Sequence, residues 1–248
     1  MKQLYMIAIA GAMIATTPIA MAEDSPHTFS ANTAIATDYM YRGGSQTNEH
    51  PAVSGGFDYA HSSGVYAGVW ASNVDFGDSA NIEIDYYGGI AGEFSNGIGW
   101  DVGGLYYQYP GVSDADEAAG DYDFFEVNAG LSYTFSEVQL KPTIGTKFSY
   151  SPDYFGENGD SYYVTADLGL SLPYGVGFAF QYGNQMFDDS SMTDYSHYSV
   201  GLNKDISKFN LALTWYDEID DANLFWNLSS DPNNTPAEAL VFTVSASF

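Results

Sequence analysis

The chain contains no cysteine. Neither disulfides nor thiolate metal sites can hold it together. Positive charge is nearly as scarce: Lys and Arg total 6 against 32 Asp and Glu, for a formal net charge of −26. A surface of that sign repels nucleic acid and anionic lipid headgroups, so nucleic-acid partners are excluded. Beyond the N-terminal leader no apolar run approaches the eighteen or so residues of a spanning helix. G-x-S-x-G, a phosphate loop, zinc-ligand spacing and a spaced EF-hand are all missing, so no cofactor and no metal site is expected.

The N-terminus begins with Lys2, an apolar run from Leu4 to about Ala20, and Ala20-Met21-Ala22. This is the pattern of a secretory leader, with cleavage expected after Ala22. No Cys stands where a lipoprotein signal would need one. Residues 1–22 are therefore read as a leader and residues 23–248 as one domain. Losing Lys2 takes the net charge one unit further negative.

What is abundant is aromatic and small. Aromatics make up 17% of the chain, with 21 Tyr, and Gly numbers 26. Acidic chains poor in aromatics tend to disorder, but this one is rich in them. Tyr and Trp in such numbers suit the interfacial girdles of a membrane barrel.

The periodicity is two. Ile82, Ile84, Tyr86 and Ile90 oppose Glu83 and Asp85; Phe125, Val127, Ala129 and Leu131 oppose Glu126, Asn128 and Ser132; Val138, Leu140, Ile144 and Phe148 oppose Lys141, Thr143 and Lys147. Strands are expected near 29–41, 51–60, 65–74, 81–94, 98–109, 122–135, 138–150, 161–172, 176–186, 194–204, 209–217 and 239–248. Short turns near 61–64, 95–97, 136–137, 173–175 and 205–208 alternate with long polar connections near 42–50, 76–80, 110–121, 151–160, 187–193 and 218–238. That asymmetry separates a membrane barrel, with short periplasmic turns and longer outer loops, from a soluble sandwich. The fold class is all-β: a transmembrane, antiparallel, up-and-down barrel of about twelve strands.

The last strand carries its own signature. Leu240, Phe242, Val244, Ala246 and Phe248 form one apolar face and end on an aromatic chain terminus. It resembles the C-terminal signal read by the outer-membrane barrel-assembly machinery, with Phe242, Val244, Ala246 and Phe248 as its carriers. Outer-membrane lipid and lipopolysaccharide would surround such a barrel.

Two blocks carry a family likeness. One is Thr37-Asp38-Tyr39-Met40-Tyr41-Arg42-Gly43 with Ser45-Gln46-Thr47. The other is Gly55-Gly56-Phe57-Asp58-Tyr59 running into Tyr66-Ala67-Gly68-Val69-Trp70-Ala71-Ser72-Asn73-Val74-Asp75-Phe76. Together they resemble the TorF family of proteobacterial outer-membrane porins over roughly residues 30–90. Gly44 departs from the apolar residue expected there. The resemblance implies an outer-membrane channel and names no solute.

With the polar face inward, the lumen is expected to hold Asp38, Asp58, Glu83, Asp85, Glu93, Asp101, Glu126 and Asp167, with Arg42, Lys141 and Lys147 as the basic residues. Rings of carboxylates favour cations, so small polar solutes, cations among them, are the expected cargo of a passive pore. The alternatives are a closed barrel that binds or adheres through its loops, and a distant outer-membrane hydrolase built on His197 and Ser199. Arg42, the only Arg, lies four residues after Asp38, and the two are expected to pair at the outer end of the first strand. The acidic loop 114–121 is read as solvated rather than as a calcium site.

Overall fold

The computed structural model describes residues 25–189, 192–219 and 238–248. The leader and most of the connection 218–238 lie outside them. Among the described residues no helix is long and apolar enough to cross a membrane.

Twelve strands form a closed barrel: β1 (His27–Ala36), β4 (Ala52–His61), β5 (Val65–Asn73), β6 (Ile82–Glu93), β7 (Gly99–Gln108), β8 (Phe124–Thr134), β9 (Thr143–Ser151), β10 (Ser161–Leu172), β11 (Val176–Phe187), β12 (Tyr195–Ile206), β13 (Phe209–Glu218) and β14 (Ala239–Ser247). Each pairs antiparallel with its neighbours, and β1 closes on β14. Two further strands, β2 (Met40–Tyr41) and β3 (Gly44–Ser45), pair only with each other. Closure follows from the solvent: an unpaired backbone group in hydrocarbon costs several kcal/mol, so a sheet with free edges cannot stay there.

The alternation sorts the wall. Val102, Tyr106, Phe125, Val127, Leu131, Ile144 and Phe148 stand exposed on the outside. Their sequence neighbours Leu105, Tyr107, Glu126, Asn128 and Ser149 are buried inside. A one-residue slip would exchange these sets, and a Lys or Arg on the lipid face costs about 2–4 kcal/mol at the midplane, so register is strongly specified. At the seam β1 and β14 pair over Asn32–Ala36 with Ser247–Thr243, and Ala31 and Phe248 exchange backbone N–H···O bonds of 3.1 and 2.9 Å.

Two strands differ from expectation. β1 stops at Ala36 instead of running to 41, and the chain then turns inward. β9 starts at Thr143 rather than 138: residues 135–142 form the turn, Leu140 and Lys141 have φ of 67° and 42°, and Phe135 N–H donates to the Pro142 carbonyl. Pro142 has no N–H for a sheet ladder, which ends the strand there despite the alternating pattern before it.

The loop end has its own clip. Ser79 donates its hydroxyl and backbone N–H to Asp116 Oδ2, at 2.5 and 3.2 Å, and the Ser113 hydroxyl donates to the same oxygen at 2.7 Å. These bonds hold the Asp116 carboxyl below the ordinary carboxylate range. Partial desolvation, with Asp121, Asp123 and Asp114 nearby, pushes Glu117 up instead.

Candidate functional site: the lumen

After β1 the chain enters the barrel as a hairpin. Met40 pairs with Ser45 and Tyr41 with Gly44, leaving Arg42 and Gly43 as a two-residue turn. Both have positive φ, 48° and 90°, the backbone of a type I′ turn. Gly43 is required twice: for its φ, and because a Cβ there would meet His197 Cβ at 2.8 Å. Asp38 buttresses the base, accepting from the Ser45 hydroxyl at 2.7 Å and the Thr47 hydroxyl at 2.8 Å. Tyr39 N–H also donates to Thr47 Oγ1.

Arg42 is the centre of this end of the lumen. Nη2 donates to both Glu126 oxygens, at 2.5 and 2.7 Å, and Nη1 donates to Gln185 Oε1 at 2.7 Å. Its guanidinium lies 4.2 Å from the ring centre of Tyr163, 4.8 Å from Tyr41 and 5.8 Å from Tyr154. A desolvated cation over such rings gains roughly 2 kcal/mol from each good contact. The expected Asp38–Arg42 pair does not form. The early end of β1 sends Arg42 across the lumen to β8 and β11, while Asp38 stays with the hairpin's own hydroxyls.

The other predicted residues fall into two tiers. In the loop-end tier, Glu83 accepts from the hydroxyls of Tyr39 and Tyr109, each at 2.7 Å, and Glu126 also accepts from Tyr107 at 3.3 Å. Asp85 is buried on the same strand as Glu83, and its Oδ1 has no partner among the described residues. In the turn-end tier, Asp58 accepts from Asn32 at 3.2 Å and from the Tyr87 hydroxyl; Asp167 accepts from Thr165 at 2.8 Å and Gln181 at 2.7 Å. Asp101, Gly130, Lys147, Thr165, Gly183, His197 and Glu218 follow one another as cross-strand partners from β7 to β13. Lys147 thus sits on the inner wall, in line with Asp101.

Lys141 does not. It lies exposed in the turn before β9 at positive φ, so it is removed from the set of lumen residues. Glu93 is likewise exposed, at the turn end of β6. In the terminal strand, Phe242 and Phe248 stand exposed, Val244 is half-buried and Ala246 is buried. His197 Nε2 lies 2.7 Å from the Tyr163 hydroxyl, with the two rings nearly parallel. That nitrogen is engaged away from Ser199. Among the described residues no group of three or more His, Asp or Glu is placed to hold a metal.

The tyrosines of this end are what sequence reasoning missed. Tyr39, Tyr41, Tyr107, Tyr109, Tyr154 and Tyr163 are all buried, and Phe76 and Phe124 pack among them. Together with the hairpin they fill the loop end. Buried side chains ring it from Ala52 on β4 through Ser72, Asp85, Tyr107, Glu126, Ser151, Ser161, Gln185, Tyr195 and Thr214 to Val241 on β14. At the turn end the inward residues Asp58, Asp101, Lys147, Asp167 and Gln181 are only half-buried. The lumen is therefore packed at one end and less filled at the other. The signal that was available was the Arg-Gly-Gly run after Tyr41, a positive-φ turn sequence inside what otherwise scans as strand.

A closed, single-chain, twelve-stranded antiparallel barrel with an apolar exterior and a polar, carboxyl-bearing interior has the architecture of the porin-type barrels. The KdgM porin superposes with a TM-score of 0.57 over 88% of this chain and 98% of that one at 5% identity. The NanC porin gives 0.54 over 89% and 99% at 9% identity, and the COG4313 outer membrane channel from Pseudomonas putida F1 gives 0.54 over 91% and 96% at 11% identity. At these identities the likeness is one of fold. No curated protein matches the chain. The chain belongs to the family described as "bacterial protein of unknown function (Gcw_chp)", whose model matches residues 20–248. That description is not the TorF name to which the sequence blocks pointed.

Proposed function

We propose that this protein is an outer-membrane channel for passive diffusion of small polar solutes, with neutral and cationic solutes favoured over anions. The observation that carries the reading is the two-faced wall: apolar outside, and lined inside by Asp58, Asp101, Asp167 and Lys147. Three carboxylates against one ammonium give this tier a negative field, which concentrates cations and repels anions. A solved complex of the KdgM porin contains an oligogalacturonate, a polyanionic sugar. The lumen here suits the opposite sign, since its one Arg is already bound to Glu126. The leader, cleaved after Ala22, and the terminal Phe248 support export and delivery by the barrel-assembly machinery into lipid and lipopolysaccharide.

The hairpin supplies the constriction. Residues 38–47 occupy the loop end, so conduction in this reading requires them to yield. The test is conductance of the refolded chain in a planar bilayer under a KCl gradient. Discrete steps with a cation-selective reversal potential are expected. The packed loop end favours a second reading, a permanently closed barrel that acts through its surface loops; a folded barrel silent at every voltage would replace the channel with it.

A further inference from the structure

Behind the Arg42 turn, the inner wall of β8–β11 carries five polar side chains with unused hydrogen-bonding capacity. They are Asn128, Ser149, Ser151, Ser161 and Gln185, each no more than 2% exposed. Both amide atoms of Asn128, the three serine hydroxyls and Nε2 of Gln185 have no hydrogen-bond partner among the described residues. Buried polar atoms are ordinarily paired, so a cluster of this kind calls for an explanation.

The five are contiguous. Asn128 and Ser149 are direct cross-strand partners, as are Ser151 and Ser161, and Tyr163 links Ser149 to Gln185 as partner of both. Strand and residue spacings make this a patch of about 14 by 7 Å, the footprint of one or two sugar rings. Its chemistry is neutral: each serine both donates and accepts, Asn128 does both through separate atoms, and Gln185 contributes a donor. Tyr163 supplies a ring face within the same patch. The charges beside the patch balance: Arg42 pairs with Glu126 while the hairpin is docked, and when Arg42 leaves, Lys147, the next inward residue of β9, lies within electrostatic reach of Glu126.

We infer that this patch is a binding station for a neutral, hydroxyl-rich solute of sugar size, which the β2–β3 hairpin covers until the solute takes its place. Arg42 holds Gln185 through Oε1 and leaves Nε2 free, so the solute competes with the hairpin for one side chain and takes up the vacant capacity of the other four. The inference rests on the channel reading and gives it a solute class.

The test uses the full chain without its leader, with D-glucose as probe and D-glucuronate as a charged probe of the same ring size. In planar bilayers glucose is expected to block or modulate the current saturably, and glucuronate to do so at least tenfold more weakly. In N128L/S149A, conductance is expected to persist while the half-saturating glucose concentration rises at least tenfold. Equal action of the two sugars, or an unchanged half-saturation in the variant, overturns the station. Heat-modifiable gel migration checks that the variant folds; if it does not, S151A/S161A replaces it under the same criteria. A barrel that folds but never conducts defeats the channel reading alone. Calorimetric titration of glucose into the detergent-folded protein then decides the station: saturable heat lost in the variant supports it, and no heat overturns it.

Discussion

Arg42 and Glu126 are 84 residues apart in sequence and meet across the lumen as a bidentate, buried ion pair, Nη2 lying 2.5 and 2.7 Å from the two carboxylate oxygens. This contact ties a two-residue turn to the barrel wall. Removing one partner of such a pair leaves an uncompensated buried charge, at about 3–5 kcal/mol. Arg42 has an alternative to staying buried, because the hairpin that carries it can leave. The penalty is therefore expected to appear as release of the hairpin.

Trypsin reads that release directly. Arg42 is the only Arg, and the bond it flags, to Gly43, is buried in the docked hairpin. The native barrel should resist cleavage at 42, while Lys208 in the exposed turn between β12 and β13 serves as an internal control. In E126A, 3–5 kcal/mol corresponds to roughly a hundred- to several-thousand-fold shift toward the open hairpin. Cleavage after Arg42 should become rapid, and mean conductance should rise. Resistance equal to that of the native chain would mean that the aromatic packing alone holds the hairpin.

Gly43 should behave as a hinge pin. Its φ of 90° and the 2.8 Å approach to His197 leave no place for a side chain. In G43A the left-handed backbone adds about 1–2 kcal/mol, and the clash with His197 comes on top. The expected phenotype is the same cleavage after Arg42 with the Arg42–Glu126 pair chemically intact, visible in the same trypsin time course.

Selectivity is expected to reside at the turn end. Glu83 and Glu126 are buried and fully engaged by Tyr39, Tyr109, Tyr107 and Arg42, so reversing their charge would disrupt the packing before it changed a pore field. Asp101 and Asp167 are only half-buried on the inner wall, nearer the route a solute takes. D101N/D167N should move the reversal potential in a KCl gradient toward zero with the unitary conductance nearly kept. An unmoved potential would place selectivity elsewhere.

The barrel was legible in sequence because its information is local: alternation and turn residues each act over fewer than about fifteen residues, and connection length is read between neighbouring strands. Strand positions follow closely except where one residue overrides the pattern, as Pro142 does before β9. The lumen was less legible. Which strands face the same level depends on register around the whole barrel, and Arg42 finds Glu126 and Gln185 on strands far along the chain. Asp38 to Arg42 scans as a strand continuation because Tyr39 and Tyr41 hold alternate positions between Asp38 and Arg42. The positive φ at Arg42 and Gly43 breaks that continuation. Carboxylates were visible as lumen residues by face, but their division into an engaged tier and a half-exposed tier is a tertiary property.

The loop clip gives a pH prediction. Three donors from Ser79 and Ser113 favour the ionised form of Asp116, so its folded-state value lies below the unfolded one. The contribution is then present above the ordinary carboxylate range and lost as pH falls through the depressed folded value. Amide exchange in residues 109–123 should stay slow on acidification to the usual carboxylate range and accelerate only below it. In D116N the same segment should exchange faster already at neutral pH, with the barrel strands unaffected.

The seam between the first and last strands should be the most sensitive part of the wall. β1 and β14 pair over five positions, whereas β10 and β11 pair over twelve. Phe248 adds a reciprocal pair of backbone bonds with Ala31 at the end of that short ladder. Removing Phe248 leaves Ala31 with an unpaired N–H and C=O at the barrel rim, each about 1–3 kcal/mol if kept from water. It also takes away the aromatic end of the terminal strand. Deleting Phe248 is expected to lower the urea midpoint of the refolded barrel modestly and to reduce its heat-modifiable, membrane-inserted fraction in cells far more. F248Y keeps the backbone bonds and an aromatic ring and should restore both, whereas F248A should restore the midpoint but not the inserted fraction. If F248A inserts as well as the native chain, the terminal aromatic has no role in assembly and its effect is confined to the seam.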